Sequence, residues 1–292
     1  MSYKENCHVQ LYYVEGLNMG KEKFVWNDKL MVTAAGIEGG NVAEIRIFID
    51  RPFPEINKSS FDSGIDIEGI ILLNVFLSCF RLINNHLDLI LNQRESSGYS
   101  VTDVEDFKLN LQATMLHRVD SDLPKHSVED CKKYLKNTIP LFEKIVKNIE
   151  FKQNKSKNPL AISLSLFERI KNEDDLKSIV DYVVVLESLL CENEKNLKLK
   201  IASRTSSLIQ TNSKDKSSVF EFLKEIYHIR SELIHGSDIS FDSFSEEFTG
   251  ARMQLEKIVR SALLEYIDLV DSGLTKKQII KQLDSIRRTN DS

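Results

Sequence analysis

At 292 residues the chain is long enough for one large domain or two of ordinary size. With 41% hydrophobic and 28% charged residues, and only 11 glycines and 5 prolines, it is globular in composition, which excludes a collagen-like, low-complexity or disordered polymer. A net charge of −5 excludes a broad basic coat for nucleic acid and leaves room for a local basic cleft.

The N-terminal decapeptide MSYKENCHVQ is polar and has no hydrophobic segment of a signal peptide. Cys7, Cys79, Cys131 and Cys191 are scattered without a CxxC pair, which suits reduced thiols in a cytoplasmic protein better than a disulfide frame or zinc site. The first fifty residues predict strands at His8 to Val14, Phe24 to Thr33 and Val42 to Ile49. These runs are rich in β-branched and aromatic residues and separated by glycine-containing breaks. Arg51-Pro52-Phe53-Pro54 ends the third, because proline removes ladder donors. A small antiparallel sheet is expected.

Ile67 to Leu91 predicts one long helix, and its most apolar run, Ile70 to Phe80, is too short to span a bilayer. Val101 to Val119 fits helix or strand. His117 to Ser127 is a polar loop, after which Ser127 and Asp130 offer an N-cap for a helix through Asn148. His86, His117 and His126 stand alone, and no catalytic constellation stands out before residue 150. The expected organisation is an α+β region over 1–150, a linker at Phe151 to Asn158 and a helical bundle over 159–292.

Leu160 to Lys171 is amphipathic. The next helix, to Leu190, is apolar almost all round and belongs in the middle of a bundle, yet it carries Glu187. A carboxylate in such surroundings costs several kcal/mol unless paired, so Glu187 is expected to meet Arg230 or Arg204. A third helix runs from Leu197 to Gln210, a polar turn from Thr211 to Lys216, and a last long helix from Phe244 to Val270. The bundle is expected to hold four or five helices, followed by a basic amphipathic helix that frays, with Lys276, Lys277, Lys281, Arg287 and Arg288.

Between these lies the most informative stretch, VFEFLKEIYHIRSELIHG, Val219 to Gly236. Val219, Leu223, Ile226 and Leu233 recur at helical spacing, Phe222, Tyr227 and Ile234 widen the arc, and Gly236 suits a left-handed C-terminal cap. At about 100° per residue, Arg230 falls on the apolar stripe and His235 about 140° away, with His228 and Glu232. A guanidinium there cannot shed its charge, so it must be paired, hydrogen-bonded or open to a cleft. His228, Glu232 and His235 share one face at i, i+4 and i+7, a spacing that suits a divalent ion or a solvated polar face; no fourth ligand is evident.

The run IYHIRSELIHG resembles the R-x4-H signature of HEPN domains, in the branch of the ApeA anti-phage defence proteins. LESLL (Leu186 to Leu190) and LKIASRTSSLI (Leu199 to Ile209) resemble that branch's second and third helices. The resemblance covers roughly Pro159 to Val270 and implies an all-α HEPN-like bundle that dimerises and cuts RNA without metal or other cofactor. It assigns proton transfer at the ribose 2′-hydroxyl or leaving oxygen to His235 and charge stabilisation at the scissile phosphate to Arg230. Ser231, Glu187, Tyr227, Glu232 and Gly236 would support them. Many active members carry Asn, Asp or His after the arginine; here it is Ser231, whose hydroxyl still hydrogen-bonds. The expected partners are RNA, a second copy, and a protein or phage-derived trigger, with no membrane; residues 1–150 would sense the trigger or position the substrate. The other class the motif allows is a non-catalytic interaction module that dimerises or binds RNA or protein through the same helix face.

Overall fold

The computed structural model describes residues 8–15, 19, 21, 23–26, 30–34, 42–49, 67–84, 90–91, 127–148, 158–170, 175–192, 194–209, 213–235 and 245–290. The chain divides into two compact units, Met1–Phe142 and Glu143–Ser292. The fold is α+β: an antiparallel sheet with helices in the first unit, and an all-helical second unit. The division falls inside a helix, and residues 151–157 of the expected linker lie outside the described residues.

Among the described residues the sheet has five strands in the order β2-β3-β4-β1-β5: β1 His8–Glu15, β2 Lys23–Trp26, β3 Leu30–Ala34, β4 Val42–Ile49 and β5 Ile90–Leu91. Every described pairing is antiparallel. Alternation decides which face is covered: Ala43, Ile45 and Ile47 of β4 are all fully buried. Across the ladder, Leu30 and Val32 stand opposite Ile47 and Ile45 and are buried with them. The single strand expected over Phe24 to Thr33 is two, β2 and β3, paired with Trp26 opposite Leu30. Asn27 and Asp28, which favour turns, stand between them in the sequence.

Helix α1 (Ile67–Ile83) packs on β4. It stops before the expected Leu91, and Ile90–Leu91 joins the sheet beside Val14 and Glu15. The buried Asn84 amide marks the end, donating to the Phe80 carbonyl and to the Thr138 hydroxyl, both at 3.2 Å. Helix α2 (Val128–Asn148) begins as its cap pattern requires: the Asp130 amide donates to Ser127 Oγ at 3.1 Å, and that hydroxyl donates to the Asp130 carboxylate at 2.7 Å. Phe142 of α2 meets Phe76 edge-on in the first unit's core. The segments 101–119 and 117–126, with His86, His117 and His126, lie outside the described residues.

Among the described residues six helices follow: α3 Pro159–Arg169, α4 Asp175–Leu190, α5 Leu197–Leu208, α6 Ser213–His235, α7 Ser245–Asp271 and α8 Lys276–Asn290. Asn158 caps α3 by accepting the Leu160 and Ala161 amides, with Pro159 at the first position, where its missing N–H costs nothing. The expected central helix is α4, which touches each of the other five. Ile179, Tyr182, Val183, Val185, Leu186, Leu189 and Leu190 bury nearly all its sides. Helix α6 starts at Ser213 rather than after Lys216, and Asp215 in its first turn is favoured by the helix dipole.

The basic tail is the helix expected from the sequence, and its first turns are packed rather than frayed. Ile279, Ile280 and Leu283 of α8 are buried, and α8 lies on α5. The turn before it is built at Gly273, whose φ of +91° favours glycine. Its amide donates to the Val270 carbonyl and the Leu274 amide to that of Leu269, the paired bonds of a Schellman end. Thr275 and Gln278 then exchange bonds in a capping box that starts α8. No helix of the described residues is long and apolar enough to cross a membrane.

Candidate functional site: an ion pair between α4 and α6

Helix α6 carries Tyr227 and Arg230 one turn apart and faces α4, which carries Glu187. Leu223 and Ile226 anchor its inner face, only 2% and 1% exposed. Arg230 Nη2 donates to Glu187 Oε2 at 3.1 Å, which settles the choice between the two arginines expected to meet Glu187. Tyr227 Oη donates to the other carboxylate oxygen at 3.3 Å. The guanidinium carbon lies 5.2 Å from the centre of the Tyr227 ring, within cation–π range. Burial, helped by the Glu187 charge, pushes the Tyr227 phenol up, so it remains a donor at neutral pH.

The Arg230 and Glu187 side chains are 18% and 19% exposed, so the pair is partly desolvated and still open to water on one side. Of the five N–H donors of a guanidinium, Arg230 uses one in the hydrogen bonds described. Its Nε is closed off from solvent and has no acceptor. The unused donors are what a phosphate oxygen needs.

Farther along the motif, Ser231 and Leu233 are half-buried and Ile234 is 53% exposed, so the apolar arc drawn from the sequence ends before Ile234. Glu232 lies 3.4 Å from His228 Nε2 on the outer face. His235 is the last residue of α6; its side chain, and Gly236, lie outside the described residues. The structure thus brings Glu187, Tyr227 and Arg230 together and places His235 five residues on along the same helix. Among the described residues no group of three or more His, Cys, Asp or Glu side chains is gathered as a metal site would be.

The second arginine is elsewhere. Arg204 of α5, 2% exposed, makes five hydrogen bonds. Nε and Nη2 each meet a carboxylate oxygen of Asp284 at 2.8 Å, Nη1 and Nη2 hold Glu194, and Nη1 also meets the Leu190 carbonyl at 2.7 Å. Lys276 adds a bond to the Ser188 carbonyl at 2.6 Å, so two cations satisfy the last turn of α4, where the helix dipole favours them. Hydrogen bonds from Arg204, then Lys200, hold the Glu194 carboxyl down at about 2 against its burial. Burial pushes the Cys191 thiol up to about 11, which keeps it protonated at neutral pH. Sequence reasoning named Arg204 and missed Glu194 and Asp284. The available signal was the stripe of Ile201, Arg204, Thr205 and Leu208, an arginine on a core face needing more than one partner.

Comparison of the chain with family models, curated proteins and solved structures gives no match.

Proposed function

We propose that the chain is a HEPN-type endoribonuclease that cuts RNA without metal, in phage defence or as a growth-arresting toxin, at a cleft between two copies. One observation carries the reading: Arg230 stands half-buried on α6 with one donor used, five residues before a histidine that ends the helix. Histidine titrates near neutrality and arginine does not, so the two divide proton transfer and charge stabilisation between them. The ribose 2′-oxygen attacks phosphorus as His235 takes its proton. The bond to the 5′-oxygen breaks, that oxygen receives a proton from the second copy's histidine or water, and a 2′,3′-cyclic phosphate remains. Arg230 stabilises the charge that builds on the phosphate oxygens.

The test is cleavage of several RNA classes in EDTA by wild type, His235→Ala and Arg230→Ala at matched oligomeric state. Cutting by wild type alone supports the reading. Silence in vitro together with equal toxicity of all three in cells overturns it. A second reading draws on the same ion pair: Arg230 paired with a Glu187 that Tyr227 also holds is what a non-catalytic bundle would contain, and it expects Arg230→Ala to destabilise the bundle while no preparation cuts RNA.

A further inference from the structure

We propose that Glu187 and Tyr227 are positioning residues that aim Arg230 at one phosphate of an RNA backbone; the inference rests on the reading of Arg230 as a phosphate contact. Asp284 brings both carboxylate oxygens to Nε and Nη2 of Arg204, the two-point pairing frequent for arginine and carboxylate. Glu187 instead divides its oxygens, one to Arg230 Nη2 and one to the Tyr227 hydroxyl, and leaves Arg230 Nε buried without an acceptor. That arrangement holds the carboxylate from two sides and the guanidinium at one nitrogen only. The Tyr227 ring, 5.2 Å from the guanidinium carbon, restricts the plane of the head group.

What remains is the end of the fork, on a side chain that is 18% exposed. Nη1 makes no hydrogen bond among the described residues, and Nη2 has a second N–H. Nη1 and Nη2 can offer two parallel donors to two oxygens of a phosphodiester, and the one carboxylate present takes a single N–H of the fork. The RNA phosphate therefore joins Glu187 on the guanidinium rather than displacing it. Tyr227 supplies the link that keeps the carboxylate from swinging across the fork.

Binding of a 2′-O-methyl RNA oligonucleotide, which cannot be cut, tests this across a salt series by fluorescence anisotropy. Melting curves for each variant report whether it is folded. Arg230→Ala is expected to weaken binding about tenfold and to reduce the slope of log K against log salt by about 0.7, one phosphate contact on a single strand. Glu187→Ala and Tyr227→Phe should follow it in direction, the latter by about two- to threefold. Glu187→Gln keeps an oxygen for Arg230 and a polar partner for the phenol, and should recover most of the affinity. Where Arg230→Ala loses the contact but Tyr227→Phe and Glu187→Ala bind like wild type, the positioning role is wrong and the phosphate contact stands. Tighter binding by Glu187→Ala would make the carboxylate a competitor and overturn the proposal. A wild type whose binding and salt slope do not respond to Arg230→Ala removes the phosphate contact itself, and the positioning role with it.

Discussion

Arg204 and Arg230 stand on packed neighbouring helices, each on a stripe that faces the core, and they end in opposite states. Arg204 is 2% exposed and makes five hydrogen bonds, as many as a guanidinium has donors. Arg230 is more open, makes one, and buries an Nε with no acceptor. A saturated buried arginine is a fastener: it ties the end of α4, the loop at Glu194 and helix α8 into one cluster. An unsaturated one carries donors that the fold does not use, at a cost of about 1–3 kcal/mol for the closed-off N–H. The comparison separates an arginine that serves the bundle from one available to a ligand, and substitutions can break it from either side.

The largest effect is expected at Arg204. Arg204→Met leaves Glu194 without its main partner and the Leu190 carbonyl without a donor, and should cost about 3–5 kcal/mol in urea unfolding. A loss below 1 kcal/mol would mean that the cluster is not a fastener. Acid should reach the same cluster through Glu194, whose folded-state pKa of about 2 lies below the ordinary 4.5. A depressed pKa contributes stability above the ordinary value, and that contribution is lost as pH falls from about 4.5 through 2. On the order of 2–3 kcal/mol is involved, and Glu194→Gln should flatten the acid limb of a stability-versus-pH curve over that window. An unchanged limb would detach Glu194 from the acid response.

Arg230→Ala is expected to cost less, about 1–3 kcal/mol, because the pair is partly solvated and Tyr227 still serves Glu187. On the proposed nuclease reading it should also lower RNA cleavage at least a hundredfold in kcat. Equal stability losses at Arg204 and Arg230, with cleavage intact in both, would erase the distinction between them. The smallest change is Tyr227→Phe, about 0.5–1 kcal/mol, since the ring stays and only one hydrogen bond between partly exposed groups is lost. A loss above 2 kcal/mol would show that the phenol carries the interface rather than the aim of Arg230.

The Glu187–Arg230 pair was legible because both charges interrupt otherwise apolar helical stripes, and a buried charge needs an opposite one. The α+β division was legible too, since β-branched alternation gives way to helical spacing along the chain. The Arg204 cluster was harder to read. Glu194 follows the end of α4 and Asp284 lies on the outer side of α8, so neither interrupts an apolar pattern. The β2–β3 hairpin was hidden because the residues on both sides are β-formers, and periodicity alone cannot see a reversal. The early end of α1 was hidden for a similar reason: apolar residues continue past Asn84 into β5.

The 80 residues between Arg204 and Asp284 have a consequence for synthesis. At about 5–20 residues per second, roughly 4–16 s pass between the making of the guanidinium and of its second carboxylate. For that interval the guanidinium at the end of α4 has only the Leu190 carbonyl and the Glu194 carboxylate among its partners, and water has reason to stay. We expect α8 to be the element whose arrival dries the core, which a chain released before Asp284 would show as fast amide exchange in α5. On that expectation the order of translation sets the order of closure.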